Sequence, residues 1–109
     1  MQPYDPASSI WPVDPDRLDL AREFRACIRG PHSEDLRRLL YRMRTGPLAG
    51  KYVLLVIEPY RQWAIGRLGA MRGAPIERVD NRVFTALDDA EWAVFALRWR
   101  DLTGRELSL

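Results

Sequence analysis

The sequence predicts an α+β domain: two N-terminal helices, a three-stranded antiparallel meander, and a C-terminal helix packed on the sheet. Three features of the chain lead there. Between residues 14 and 45 two apolar stripes recur at helical spacing, each ended by a Gly-Pro pair. At Gly50 the character changes to KYVLLVIE, a β-branched apolar run of strand length. After Asn81 the helical period returns and holds to Thr103-Gly104. A chain of 109 residues supports one domain with a modest core. It divides into an extended arm (1–13), a helical hairpin (14–45) and the sheet with its helix (50–104).

Pro3, Pro6 and Pro12 keep the arm out of regular helix or central strand, yet Tyr4, Ile10 and Trp11 lie in it. An extended segment with large apolar side chains lies across its own domain or a partner, or else frays as termini do. Asp14 and Pro15 are suited to the N-cap and first position of the first helix. Leu20, Phe24, Cys27 and Ile28 make its apolar stripe, so Cys27 is expected as a small buried hydrophobe. Ser33 caps the second helix, with Glu34 and Asp35 in its first turn where the dipole favours acids. Leu36, Leu39, Leu40 and Met43 form its apolar face, and Arg37, Arg38, Arg42 and Arg44 crowd the rest.

Both faces of KYVLLVIE are apolar, with Tyr52, Leu54 and Val56 on one and Val53, Leu55 and Ile57 on the other. That pattern predicts an inner strand covered on both sides. RQWAIGRLG follows as a second strand, in which Gly66 marks a bulge or a close backbone approach. After Gly73-Ala74-Pro75, IERVD reads as a third, edge strand. Thr85 and Asp88 have capping-box spacing for the last helix.

That helix is apolar nearly all round. Leu87, Ala90, Ala93, Val94 and Leu97 make a small aliphatic side suited to lie close on a sheet. Trp92, Phe95, Trp99 and Leu102 gather roughly opposite. Burying one such ring is worth roughly 1.5–3 kcal/mol, so three left in water would make a sticky patch. Either the helical hairpin covers the aromatic side, or another protein chain does, where Trp, Phe and Arg are enriched.

Composition narrows the function. Apolar residues make up 47% and charged residues 29%, which argues against disorder. The lone Cys27 makes no internal disulfide and suits a reducing cytoplasm. The N-terminus lacks a signal-peptide pattern, and Tyr52–Ile57 is far too short to span a membrane. Of 17 basic residues only Lys51 is lysine, and the net charge is only +2. Arginine suits interfaces and phosphates, though a biased codon usage explains the same count. The second helix offers charge and one ring, Tyr41, to a nucleic acid, but the scattered acids and balanced charge favour a solvated or protein-facing helix.

Catalytic groupings are sparse. No metal-ligand spacing, phosphate loop or nucleophile elbow is present. His32 lies in a turn, and Glu58, ahead of Pro59, is the most site-like acid, its plainer role being a strand-end charge or an arginine partner. A small enzyme using Glu58 or His32 would act without any partner.

From Gly50 to Arg98 the chain resembles the small subunit of the N,N-dimethylformamidase family. The matching elements are Gly50-Lys51-Tyr52, Glu58, Trp63-Ala64-Ile65, Arg67, Gly73 and Pro75. Asp80, Phe84, Ala90, Ala93-Val94-Phe95 and Arg98 follow with similar spacing. The resemblance implies a hetero-oligomer that hydrolyses the amide bond of a small N-alkylated formamide. It also implies a single iron held in a large separate subunit, with the small subunit serving assembly and stability. No catalytic residue, cofactor ligand or metal ligand is thereby carried onto this chain. The expected contacts with the large subunit are Trp92, Phe95 and Trp99, then Tyr4, Ile10 and Trp11 from the arm. The alternative is a free-standing binding module, homo-oligomeric or nucleic-acid-binding through the arginine helix.

Overall fold

A computed structural model describes residues 14–45, 51–69, 71 and 73–109. The element order is α1 (Leu18–Ala26), α2 (Glu34–Arg44), β1 (Tyr52–Glu58), β2 (Gln62–Arg67), β3 (Glu77–Arg78) and α3 (Leu87–Thr103). The fold is α+β, with the helices at the two ends of the chain and one antiparallel sheet between them. The described residues fall into two compact units. One holds α1, α2 and the chain from Trp99 onward, and the other holds the sheet and α3 up to Arg98.

In the helical unit α1 begins later than Asp14-Pro15 suggests, with Arg17 as its N-cap. Asp14 spends its carboxylate on the Asp16 N–H at 2.8 Å, an Asx turn. The Leu18 N–H then donates back only two residues, to the Asp16 carbonyl at 2.9 Å, which interrupts the helical ladder. The helix also ends earlier, at Ala26. Cys27 therefore leaves the 3.6-residue phase and is exposed, contrary to its place on the sequence stripe. Its Sγ lies 3.0 Å from the Gly30 carbonyl. Gly30 takes a φ of 82°, which a side chain would resist, and turns the chain toward α2.

Ser33 caps α2 as its sequence requires, its Oγ accepting from the Leu36 N–H at 3.2 Å. The same hydroxyl donates to Glu23 Oε1 at 2.6 Å, while the Ser33 N–H donates to Glu23 Oε2 at 2.7 Å. One carboxylate of α1 thus holds both polar groups of the α2 cap. Leu20, Ala21 and Phe24 of α1 are buried, as are Leu36, Leu39, Leu40 and Met43 of α2. Trp99 is buried in this unit, 1% exposed, with Thr103 Oγ1 donating to its carbonyl at 2.8 Å. Gly104, at φ 74°, ends α3 and donates to the Arg100 carbonyl at 2.8 Å.

The sheet order is β1-β2-β3, so the middle strand is β2 and β1 lies at an edge. This corrects the inner position inferred from two apolar faces. Both faces of β1 carry large side chains, but Val56 and Ile57 stay exposed and Val53, Leu54 and Leu55 are only half-buried. A meander joined by short turns leaves its first strand outermost unless the chain returns to cover it. Tyr52 pairs with Arg67, Leu54 with Ile65 and Val56 with Trp63; the bulge falls in β1 between Val56 and Glu58, not at Gly66.

The hydrogen-bonding direction follows from β2. Trp63 exchanges both backbone bonds with Phe84 at 2.9 and 2.8 Å, and the Ile65 carbonyl accepts from Val79 at 2.9 Å. Trp63 and Ile65 therefore point their backbone groups away from β1. Their partners Val56 and Leu54 must turn theirs outward, onto an edge that no strand among the described residues pairs.

On one face of the sheet, Tyr52 and Ile65 pack with Ala93 and Val94 of α3, flanked by Leu54, Val79, Phe84 and Leu97. The small aliphatic side of α3 thus lies on the sheet as its pattern demands. Arg98 Nη2 adds a long bond to the Tyr52 carbonyl at 3.4 Å. On the other face a Cβ at Gly66 would come within 2.6 Å of Ile76 Cγ2 and 2.9 Å of Leu55 Cδ1. Gly66 is therefore a close approach. The cap position of α3 falls at Ala86, whose carbonyl accepts the Ala90 N–H at 3.2 Å, rather than at Thr85.

Candidate functional site

His32 Nε2 lies 3.0 Å from the Cys27 carbonyl and 3.1 Å from that of Ile28, and two acceptors there keep the proton on Nε2. Its ring leans on Phe24, with centroids 5.9 Å apart. The imidazole thus closes the turn between α1 and α2. Ser33 is occupied by Glu23 and by the α2 cap. Those two hydrogen bonds, the hydroxyl's first, hold Glu23 below the usual carboxylate range. Glu58 sits exposed at the end of β1, 3.5 Å from Arg61, a strand-end pair. Among the described residues no three of His, Cys, Asp and Glu come together as metal ligands.

The aromatic side of α3 is largely enclosed. Phe95 is 2% exposed and stacks on Trp92 with centroids 5.5 Å apart and planes 12° from parallel. Trp99 is buried in the helical unit, and Trp92 is half-buried. Tyr4, Ile10 and Trp11 lie outside the described residues.

Apolar surface is on offer instead around the β1–β2 turn. Val56 is 61% exposed, Ile57 is also exposed, and Tyr60 at the tip is 94% exposed. Tyr60 follows Pro59 with φ 64°, a left-handed value that glycine adopts far more readily. Met71, Ile76 and Val83 are further exposed apolar residues of the same unit. In the sequence this signal lay in the apolar run Tyr52–Ile57, which only Glu58 separates from the Pro59-Tyr60 turn.

The arginine helix divides unexpectedly. Arg37 and Arg44 are exposed, and Arg38 reaches Glu34 at 2.7 Å. Asp35 accepts from Arg17 at 3.1 Å, and Asp19 binds the same guanidinium at 3.0 Å. Arg42, however, is buried with the leucines, contrary to its expected place on the polar side. Its position next to Met43 and one turn after Leu39 carried that signal.

A family model for the N,N-dimethylformamidase alpha subunit matches residues 16–108. The chain belongs to this family. No curated protein matches it. The match takes in α1 and α2 as well as the sheet and α3, a wider span than the Gly50–Arg98 resemblance. In this dimethylformamidase alpha-subunit family member the Ser33 hydroxyl and the Glu23 carboxylate are joined at the α2 cap, and no cluster of three metal donors forms among the described residues. They present an exposed apolar turn and a sheet edge. Among them no helix is long and apolar enough to cross a membrane.

Proposed function

We infer that this chain is the non-catalytic small subunit of a dimethylformamidase-like amidohydrolase, an enzyme that hydrolyses small N-substituted amides. It assembles with, and stabilises, a large catalytic subunit that carries the iron, in the cytoplasm. The observation that carries this is the match to an alpha-subunit family over nearly the whole chain. The exposed apolar side chains of the β1–β2 turn support it, because contact surfaces are rich in such side chains. Val56, Ile57 and Tyr60 join Trp92 as the contacts with most accessible surface.

The test is light scattering after size exclusion, on the chain alone and co-expressed with the large subunit. A stoichiometric complex that contains iron and cleaves N,N-dimethylformamide is expected. A chain that elutes by itself in both preparations, with no amide hydrolysis, overturns the assignment.

A further inference from the structure

The Leu68 N–H donates to the Lys51 carbonyl at 2.8 Å, and that bond sets the phase of β1. Backbone direction alternates along a strand, so Val53 and Leu55 bond toward β2. Tyr52, Leu54 and Val56 turn their N–H and C=O groups the other way. The Tyr52 carbonyl agrees with this, because Arg98 Nη2 of α3 reaches it at 3.4 Å. Past that bond, Leu54 and Val56 hold out two N–H and two C=O groups that no strand among the described residues pairs. The regular stretch stops at the bulge between Val56 and Glu58.

Donors and acceptors at strand spacing are matched by another extended backbone, as when a segment adds a strand to an exposed sheet edge. The side chains define that segment further. Leu54 flanks the apolar cluster under α3, Val56 lies two residues on along the same face, and Val53 and Leu55 are on the other. A strand laid beside them sets its own alternate residues against both groups, so it is apolar on both faces. At the Tyr52 end Lys51 and Arg98 make the edge basic, which suits an acidic side chain at that end of the added strand.

The size of the edge selects the occupant. Stable interfaces use about 20–30 residues a side, and the stretch from Leu54 to Val56 is far short of that. A second copy paired along this stretch alone makes too small a contact. The edge must belong to a larger surface, and the one continuous with it is the β1–β2 turn, where Ile57 and Tyr60 are exposed. We propose that an extended segment of the large subunit, apolar on both faces and acidic at one end, adds to this sheet as a fourth strand along Leu54–Val56. This rests on the subunit assignment above. Backbone pairing fixes the register of the two chains, and the turn supplies the apolar area.

The test uses Val56→Pro and Val56→Ala, each as the free chain and with the large subunit. Proline at this position removes an outward N–H and no bond to β2, and Leu55 before it is already extended. Its free chain should therefore melt within a few degrees of wild type. Its dissociation constant should rise about tenfold to a hundredfold, the usual effect of one acceptor left unpaired in a buried contact. Alanine keeps the N–H but loses more apolar bulk than proline, so a smaller effect for alanine assigns the loss to the backbone. Hydrogen exchange on wild type gives a second readout that holds even if the proline chain does not fold. The Leu54 and Val56 amides should exchange freely in the dilute free chain and slow at least about tenfold in the complex.

Proline binding as tightly as alanine, or these two amides unprotected in a formed complex, overturns the strand addition while the subunit assignment stands. Protection in the dilute free chain, or in a soluble dimer of it seen by light scattering, gives the edge to the chain itself or to a second copy and overturns it as well. If wild type forms no complex, both fall.

Discussion

Replacing Gly66 with alanine tests how tightly the far face of the sheet is closed. The new Cβ would lie 2.6 Å from Ile76 Cγ2 and 2.9 Å from Leu55 Cδ1, against ordinary carbon contacts of about 3.5–4.0 Å. Overlaps of roughly 1 Å must be relieved, and both struck atoms are side-chain ends, so rotation rather than backbone shift can do it. Two off-rotamer side chains cost about 0.5–1.5 kcal/mol each, or about 1–3 kcal/mol together. Alanine returns about 0.5–1 kcal/mol by removing glycine's freedom in the unfolded chain. A net loss of about 0.5–2 kcal/mol is expected, read by urea unfolding followed through tryptophan fluorescence at unchanged m-value. Ile76 is partly exposed, so Ile76→Ala alone should change little, and in that background the Gly66→Ala penalty should shrink by half or more. A Gly66→Ala chain as stable as wild type, or a penalty indifferent to Ile76, refutes the close approach.

Tyr60→Gly should leave the free fold within about 1 kcal/mol of wild type, because relief of the left-handed backbone offsets the added chain entropy. The same change should weaken binding to the large subunit by at least about 1 kcal/mol, measured by isothermal titration, if the exposed ring is a contact. Ser33→Ala removes the α2 cap and a hydroxyl bond to Glu23, and a loss of about 1–2 kcal/mol is expected in chemical unfolding. Hydrogen exchange at the Leu36 amide should quicken with it. Acid should weaken the fold through Glu23, Asp19 and Asp80. Ser33 lowers Glu23, and Arg17 lowers Asp19. At Asp80 burial pushes the pKa up, but the Arg82 N–H and guanidinium outweigh it. Each folded pKa lies below its unfolded value, so the stabilisation is complete above about pH 4.5 and is lost as pH falls through the folded values. Thermal midpoints from pH 6 to 3 should show that fall, and Ser33→Ala should flatten it.

The elements with a single dominant pattern were legible in the chain. Ser33, two acids and the Leu36–Met43 spacing define α2 without help from the rest of the fold. The strand spans of β1 and β2 and the stop at Gly104 are equally local. What failed depended on more than spacing. Cys27 shares a helical stripe only if the helix reaches it, and the Gly30 turn ends α1 one residue before. The apolar faces of β1 suit a covered strand and an edge strand alike, since the order in a sheet depends on which neighbours return. Arg42 sits at the border of the α2 stripe, where one helical step separates water from the core. The enclosure of Phe95 and Trp99 lay within the two alternatives set by the all-round apolar pattern of α3, which has no side that must face water. The exposed turn at Tyr60 was the part of the surface that sequence patterning overlooked, because a ring in a Pro-Tyr turn has no periodicity to reveal it.

The open edge of β1 has a consequence for how the chain is made. Tyr52–Ile57 is six apolar residues without a charge or a proline, and the outward-facing backbone groups of Leu54 and Val56 lie on its free side. Segments of that kind template cross-β stacking when they meet copies of themselves. Among the described residues no strand pairs with that side, and β1 itself has no bulge until Val56 and no inward charge to blunt it. Synthesis of this polypeptide in excess over whatever shields that edge therefore sets a ceiling on its free concentration. Above that ceiling the surplus is expected to go to fibrils or proteolysis, which makes balanced translation part of the protein's folding requirement.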